Sequence, residues 1–283
     1  MKKLFLLDAY SIIYRAYYAF IRNPRINSKG LNTSAIFGFV NTLEEVLRKG
    51  KTFRHEEYEQ YKAQREATPE DIRKSIPIIK EVVEAYNIPV LEVPGFEADD
   101  VIGTLAVKAE KKGFETYMLT PDKDYGQLVS EHIYMYRPKH TGGYEVMGPG
   151  EVKNKYGLES HLQVVDLLGL MGDSSDNIPG CPGVGEKTAV KLLQEFGSID
   201  NLLNNTDKLK GALKIKVEDN KERIVFSRFL ATIKTDVPIE IDEEQLRAKP
   251  MNENALKAIF EELEFRTLSN RMWGGTGIPV LQK

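Results

Sequence analysis

The sequence is poor in the side chains that form disulfides and soft-metal sites. Its 283 residues include one cysteine, Cys181, and four histidines. A single thiol excludes an internal disulfide and a cysteine-based zinc site, which fits a reducing compartment. Because histidines are also few, a bound metal would depend chiefly on carboxylate ligands.

Long apolar runs and an excess of positive charge are lacking too. No segment approaches the roughly 20 apolar residues of a membrane span, and the LFLL patch at 4–7 is too short for the core of a signal peptide. The chain has 39 basic and 42 acidic residues, a net charge of −3. Binding to nucleic acid would therefore need local basic patches. We expect a cytoplasmic protein with no membrane partner.

The pattern of apolar residues predicts an α/β fold. With 41% hydrophobic and 29% charged residues, the composition is that of a soluble globular protein. Short apolar runs alternate with helical periodicity, which is typical of a mostly parallel sheet flanked by helices. The predicted elements, in chain order, are a strand at 3–7, helices at 10–20 and 34–47, a helix capped by Thr68, a strand at 89–93, a helix at 98–112, a strand at 114–120, and a hairpin of IYMYRP and YEVM around Gly142 and Gly143.

The second half of the chain has a different pattern, which becomes almost wholly helical from about Pro149. This change predicts an α/β core over residues 1–171 and a helical subdomain over residues 172–272. The closing segment GGTGIPVLQK, within 273–283, is predicted to be a tail or linker.

Carboxylates recur at the ends of the predicted strands. Asp8 follows the first strand, the Glu97–Asp100 cluster follows the strand at 89–93, and Asp122 and Asp124 follow the strand at 114–120. Open α/β sheets place their ligands at the carboxyl ends of strands. Each acid alone is equally well explained as a helix cap, a partner of a helix dipole or part of an Asx turn.

A further pair, Asp173 and Asp176, ends a later helix with a spacing that lets both side chains converge on one ion. Like-charge repulsion would destabilise so dense a pocket without counter-ions. Oxygen ligands favour Mg²⁺ or Mn²⁺ over zinc, and carboxylate-held metals typically serve phosphate chemistry. The candidate metal ligands are Asp8, Glu97, Asp99, Asp100, Asp122, Asp124, Asp173 and Asp176.

The segment PGVGEKTA at 182–189 has the features of a phosphate-binding hairpin between two helices. Gly183 and Gly185 allow close backbone approach, N–H groups at the next helix start can hold a phosphate, and Lys187 adds charge. The pattern through Thr188 matches helix-hairpin-helix binders of the DNA backbone and lacks the spacing of a nucleotide P-loop. A plain tight connection between helices is the alternative.

Basic and aromatic residues are interleaved over residues 51–65. At helical spacing Arg54, Tyr58 and Arg65 share a face with Tyr61 or Lys62. Cations for phosphates beside rings for base stacking suit a single-stranded nucleic acid. For this segment alone, a surface helix with ordinary ion pairs is an equal alternative.

Five motifs in one order cover nearly the whole chain: LFLLDAY, TFRHEEYEQYKAQR, PGFEADDVIGTLA, TPDKDYGQLV and LMGDSSDNIPGCPGVGEKTA. With them the chain resembles the bacterial 5′ nuclease family, which is similar to flap endonucleases, and most of all the N-terminal 5′-3′ exonuclease domains of bacterial DNA polymerase I. The resemblance implies a PIN- or resolvase-like core, a helical arch at about 52–68 and a helix-hairpin-helix-type motif in the helical subdomain. It also implies metal-dependent cleavage of DNA, or of RNA primers on DNA, at a 5′ end, nick or 5′ flap in replication and repair.

The same resemblance implies roles for individual residues. All the candidate carboxylates would be ligands at two Mg²⁺ positions, where Mn²⁺ can substitute, and K⁺ would bind at the hairpin. Lys62 and Arg65 would be catalytic cations of the arch that steer the scissile phosphate. The residues that would contact DNA are Arg54, Tyr58, Gly183, Gly185, Lys187 and Thr188. We expect a monomer that works with a DNA polymerase in cis or in trans.

The sequence departs from that family at one place. Members usually carry a core strand ending in an aspartate between the helix that ends near Arg48 and the TFRHE segment, whereas here residues 47–51 lead directly into Thr52. That strand and its metal-site aspartate are absent. This absence leaves open a non-catalytic module that binds DNA junctions. A second alternative is a PIN-like ribonuclease, which keeps the acidic core but does not need the hairpin.

Overall fold

The computed structural model describes residues 2–47, 68–139 and 143–274. These residues form two compact units. The first contains residues 2–8 and 92–240, and the second contains residues 9–47, 68–91 and 241–274. All the candidate metal ligands and the hairpin at 182–189 belong to the first unit.

The elements of the described residues follow the predicted order closely. The strands are β1 (Lys2–Leu7), β2 (Phe114–Leu119), β3 (Ile133–Pro138) and β4 (Tyr144–Met147). The helices are α1 (Ala9–Ala19), α2 (Ser34–Leu47), α3 (Glu70–Ala85), α4 (Ala98–Lys111), α5 (Pro149–Tyr156), α6 (Val164–Met171), α7 (Glu186–Phe196), α8 (Ile199–Asn204), α9 (Gly211–Asp219), α10 (Lys221–Ala231), α11 (Glu243–Leu246), α12 (Glu253–Glu262) and α13 (Arg266–Trp273). Short 3-10 turns lie at Lys123–Leu128, His161–Gln163 and Thr206–Lys208.

One sheet lies at the centre of the first unit, in the order β1-β2-β3-β4. β1, β2 and β3 are parallel, and β4 is antiparallel to β3. Buried side chains such as Leu4, Leu6 and Met118 stabilise the sheet, and α4 packs against β1 and β2. The expected mostly parallel sheet is confirmed, as is the β3–β4 hairpin; its predicted turn residue Gly142 lies outside the described residues.

The predicted strand at 89–93 is wrong, because the structure gives these residues no regular secondary structure. A strand needs a neighbour whose backbone groups complete its hydrogen bonds. Among the described residues no strand pairs with this segment, and β1 pairs with β2 alone. The alternating apolar residues are present, but the pairing partner is not.

The helices after Pro149 confirm the expected change to helical structure. α6 packs against α7 and α10, and Leu168, Leu192 and Ile224 are buried in this part of the first unit. None of the helices in the described part combines the length and apolar character that crossing a membrane requires.

In the second unit, α2 spans the predicted residues 34–47, but the expected cap of α3 is wrong. Pro69, not Thr68, is the N-cap, and no side chain caps the first turn. The Thr68 hydroxyl instead accepts a hydrogen bond at 3.0 Å from the hydroxyl of Tyr14, which is 54 positions away in the chain.

Candidate metal centre

The carboxyl ends of β1 and β2 place Asp8 and the turn after β2 at one edge of the sheet. The Asp8 N–H donates to the Leu119 carbonyl at 3.1 Å, which continues the ladder one residue beyond β1. The buried Tyr125 hydroxyl donates to Asp8 Oδ2 at 3.4 Å. Burial and then the charges of Asp8, Asp99 and Asp122 raise the pKa of Tyr125 well above its usual value. The Tyr125 hydroxyl thus contacts one candidate ligand, Asp8, and the charges of two others act on it.

The Glu97–Asp100 cluster begins α4. Asp100 Oδ2 accepts a hydrogen bond from the Glu97 N–H at 3.2 Å, and Asp100 Oδ1 accepts one from the Lys234 N–H at 2.8 Å. Asp99 Oδ1 accepts from the Asp100 N–H at 2.9 Å. Both oxygens of Asp100 thus satisfy backbone donors, so the helix-cap interpretation applies to this residue. Its role as a metal ligand stays a prediction.

A second group of carboxylates surrounds Lys123. The Lys123 ammonium forms an ion pair with Asp173 Oδ2 and lies 3.4 Å from Asp124 Oδ1. Asp124 is 5% exposed, and its Oδ1 accepts no hydrogen bond from any described residue, because the contact with the ammonium has the distance of an ion pair but not hydrogen-bond geometry. Asp122 Oδ1 accepts from the Asp124 N–H at 3.0 Å, which fixes the two acids in one turn.

The electrostatics of this group are strongly coupled. Burial, followed by the charge of Asp122, raises the pKa of Asp124 well above its usual value, and Asp173 and Asp176 add to the effect. Burial alone would lower the pKa of Lys123, but Asp124 and Asp173 outweigh it and raise that pKa. Burial opposes ionisation of Asp173, yet hydrogen bonds from Lys123 and Ser175 lower its pKa. One lysine thus faces several carboxylates.

Asp173 and Asp176 lie in a tight loop after α6. The Asp173 N–H donates to the Ile178 carbonyl at 2.9 Å, and the Ile178 N–H donates back at 2.8 Å. Gly172, at φ 72°, leaves no room for a side chain, because an added Cβ would lie 2.5 Å from the Ile178 carbonyl oxygen. The Gly180 N–H donates to the Ser227 hydroxyl of α10 at 2.9 Å. The loop is therefore fixed at both ends.

The residues at this edge of the sheet suit a hard divalent cation, since their donors are oxygens and the buried Asp124 Oδ1 has an unused acceptor position. As the side chains stand, no three His, Cys, Asp or Glu residues in the described part form a group that could hold a metal ion. The assignment of individual ligands therefore stays a prediction.

The glycines of the hairpin at 182–189 directly precede α7, as expected, whereas the helix before them, α6, ends at Met171. Gly183 has φ 75°, and Gly185 is the N-cap of α7. Lys187 is exposed beside this helix start. Lys216 of α9 also reaches the hairpin, because a Cβ added to Gly183 would lie 2.5 Å from its Nζ.

One predicted part of the site cannot be placed, and two residues of the site were not predicted. The predicted arch residues Arg54, Tyr58, Lys62 and Arg65 lie outside the described residues. Lys123 and Tyr125 were not among the candidates, although both stand in the TPDKDYGQLV motif between or beside carboxylates. Their position next to Asp122 and Asp124 was the available signal.

Comparison with known protein families places both halves of the chain. Residues 3–157 match the family model described as 5′-3′ exonuclease, N-terminal resolvase-like domain, and residues 160–254 match that described as 5′-3′ exonuclease, C-terminal SAM fold. A 5′-3′ exonuclease of Aquifex aeolicus is 39% identical over 95% of this chain and 94% of its own length.

The polymerase relatives are much longer than this chain. DNA polymerase I of Bacillus caldotenax is 40% identical over 287 residues, which cover 96% of this chain and 32% of that protein. The chain therefore spans about a third of the length of the polymerase relatives. The alignment with this relative has 287 positions, which is more than the whole length of this chain, although only 96% of the chain is covered. The relative therefore has residues without a counterpart here.

A solved structure, T5 5′-exonuclease with bound zinc, has a TM-score of 0.67 and 17% identity, covering 93% of this chain and 100% of its own. A second, the catalytic core of Rad2 in complex with DNA, has a TM-score of 0.63 and 19% identity, covering 95% and 90%. At this identity the likeness concerns the fold, which is the predicted resolvase-like core with helices.

Proposed function

The chain belongs to the 5′-3′ exonuclease family, and we propose that it is a divalent-metal-dependent phosphodiesterase acting on DNA. Its substrates are 5′ ends, nicks and 5′ flaps, including RNA primers on DNA, during replication and repair. The observation that carries this proposal is a set of carboxylates at the carboxyl end of a parallel sheet, where Lys123 pairs with Asp173 and Asp124 and the Tyr125 hydroxyl donates to Asp8. Nothing observed favours the non-catalytic module.

Mg²⁺, with Mn²⁺ as a substitute, is the cofactor we propose. Asp8, Glu97, Asp99 and Asp100 would hold one ion, and Asp122, Asp124, Asp173 and Asp176 would complete the pair of metal positions. The ions supply Lewis-acid activation of water and stabilisation of the leaving oxygen. The protein's own part is to orient its carboxylates and to exclude other cations. No protein nucleophile is needed, and the one thiol, Cys181, is 2% exposed.

We propose that the helical part from residue 172 to 272 grips duplex DNA. Gly183, Gly185, Lys187 and Thr188 would contact the phosphate backbone at the start of α7. K⁺ would bind at the same hairpin. The arch cations Lys62 and Arg65 would steer the scissile phosphate, and Arg54 and Tyr58 would contact the single strand.

The partner we propose is a DNA polymerase, in cis or in trans, because the curated polymerase relatives contain a matching region within a longer chain. A monomer working in the cytoplasm is the arrangement we propose. A polymerase in trans would extend the upstream strand while this chain removes the displaced 5′ flap.

Cleavage of end-labelled duplexes tests this function. A 5′-flap duplex, a 3′-flap duplex and a single strand of the same sequence are incubated with Mg²⁺ or with a chelator. We expect cut product near the base of the 5′ flap only with Mg²⁺. An Asp99→Asn variant should keep flap binding and lose cleavage. Equal cutting of all three DNAs, or flap binding without cleavage by the unmodified chain, would overturn the proposal.

A further inference from the structure

A positive charge lies inside the proposed metal position itself. The Lys123 ammonium contacts Asp173 Oδ2 and lies 3.4 Å from Asp124 Oδ1, while the two carboxylate side chains are only 9% and 8% exposed. Lys123 stands between Asp122 and Asp124 in the turn after β2, and not on a distant surface. A divalent cation that used both carboxylates would have to occupy the space that the ammonium takes.

The charge balance around this lysine is incomplete. Asp122, Asp173 and Asp176 all act on Asp124 with like charge, whereas Lys123 supplies one positive charge. A single ammonium offsets part of this repulsion, and a doubly charged ion offsets more. The buried Asp124 Oδ1 accepts no hydrogen bond from the described residues, so this oxygen is the acceptor that a metal ion could use.

We propose that Lys123 is the internal counter-ion of the metal-free site, and that a divalent cation binds to Asp124 and Asp173 only as the Lys123 ammonium moves away. This inference rests on the proposed function, because it requires that these carboxylates bind a metal. The lysine stabilises the metal-free fold and competes with the ion. Lys123 is a positioning residue, because it determines the Mg²⁺ concentration at which the site is occupied.

A cavity gives the displaced ammonium a place to go. Lys123 lines a cavity of about 50 Å³ together with Tyr156, apolar side chains of α6 and Glu186. A cavity needs about 10–15 Å³ on this measure to hold one water molecule, so this one has room for an ammonium group. Glu186 is the acidic residue of this lining, at the first position of α7. We expect the ammonium to turn from Asp173 towards Glu186.

The test compares Lys123→Met with a matched control, Lys108→Met. Lys108 is 30% exposed and pairs with Glu240 at 2.8 Å, outside the carboxylate group. Mg²⁺ binding is measured by calorimetry without DNA, and thermal unfolding is measured with a chelator present. We expect Lys123→Met to bind Mg²⁺ about tenfold more tightly and to melt at a lower temperature without metal. Lys108→Met should bind Mg²⁺ as the unmodified chain does.

Unchanged or weaker Mg²⁺ binding by Lys123→Met would overturn the inference, while binding and flap cleavage by the unmodified chain would leave the proposed function standing. If the unmodified chain neither binds Mg²⁺ nor cleaves a flap, the proposed function itself fails. Glu186→Gln provides a second test that leaves Lys123 in place. We expect this variant to bind Mg²⁺ several-fold more weakly, and equal binding would contradict the path into the cavity.

Discussion

At the scale of single residues, the surroundings of Asp124 oppose ionisation of its carboxyl group. Its pKa is raised by burial and by Asp122, so folding disfavours the ionised carboxylate. The free-energy cost is absent below the usual value of 3.8, grows as the pH rises towards the raised pKa, and is complete above it. A group selected for stability alone would not be an ionised acid at this position. The metal site that we propose would explain an acid here.

Asp124→Asn should therefore stabilise the metal-free protein and abolish cleavage. The amide removes a buried charge at nearly constant volume, and we expect a gain of about 1–3 kcal/mol at pH 8. The gain should shrink at pH 4, because the free-energy cost of the ionised carboxylate disappears as the pH falls towards the usual value of 3.8. Urea unfolding at the two pH values, with a chelator present, measures it. A loss of stability at pH 8 would show that the charge is well compensated without metal.

Tyr125 and Lys123 are residues of the candidate site that the sequence pattern did not identify. Acids are recognisable candidates because they repeat at strand ends, whereas a phenol or an ammonium among them gives no periodic signal. Only the fold shows that the Tyr125 hydroxyl reaches Asp8, which is 117 positions away in the chain. The helix-cap interpretation, which was the alternative for each acid, applies to Asp100. Its carboxylate accepts hydrogen bonds from the N–H groups of Glu97 and Lys234.

At the scale of elements, the loop after α6 determines where Asp173 and Asp176 lie. Gly172 and Gly180 approach each other so closely that an added Cβ on Gly180 would lie 2.4 Å from the Gly172 nitrogen. The paired hydrogen bonds between Asp173 and Ile178 depend on this approach. The close approach of Gly172 and Gly180 thus determines the position of the Asp173 and Asp176 carboxylates.

Gly172→Ala should displace this loop. The added methyl group would clash with the Ile178 carbonyl, and φ 72° disfavours any side chain, so we expect a loss of about 2 kcal/mol or more in the free energy of unfolding. Gly150→Ala, in the first turn of α5, is the matched control because its Cβ would meet nothing within 4 Å. Urea unfolding of both variants measures the difference. Equal effects in the two variants would contradict the role of the loop.

Elements with strong local signals were predictable, and those that depend on distant partners were not. Apolar residues at helical spacing fix α2 at the expected bounds, and the run before Asp8 forms β1. Residues 89–93 have the alternation of a strand but no pairing partner among the described residues. The Thr68 cap failed for a similar reason, since the hydroxyl is taken by Tyr14.

At the scale of the whole molecule, the chain keeps the eight carboxylates expected from the sequence in one unit, although the strand expected before Thr52 is missing. Among the described residues β1 has a neighbour on one side only. The sequence reveals the omission but not its effect on the site. In the part of the chain that the structure describes, β1, β2 and the turn after β2 form without that strand, so Asp8 and Asp122 both lie at the carboxyl end of the sheet.

The initial rate of 5′-flap cleavage as a function of Mg²⁺ concentration is the most direct test that these carboxylates form a metal-dependent nuclease site. We predict a rate that rises with Mg²⁺, vanishes in chelator and falls by about 100-fold in Asp173→Asn, the scale seen when an electrostatic stabiliser of the transition state is removed. A rate that is independent of Mg²⁺, or the same in Asp173→Asn as in the unmodified chain, would contradict the account.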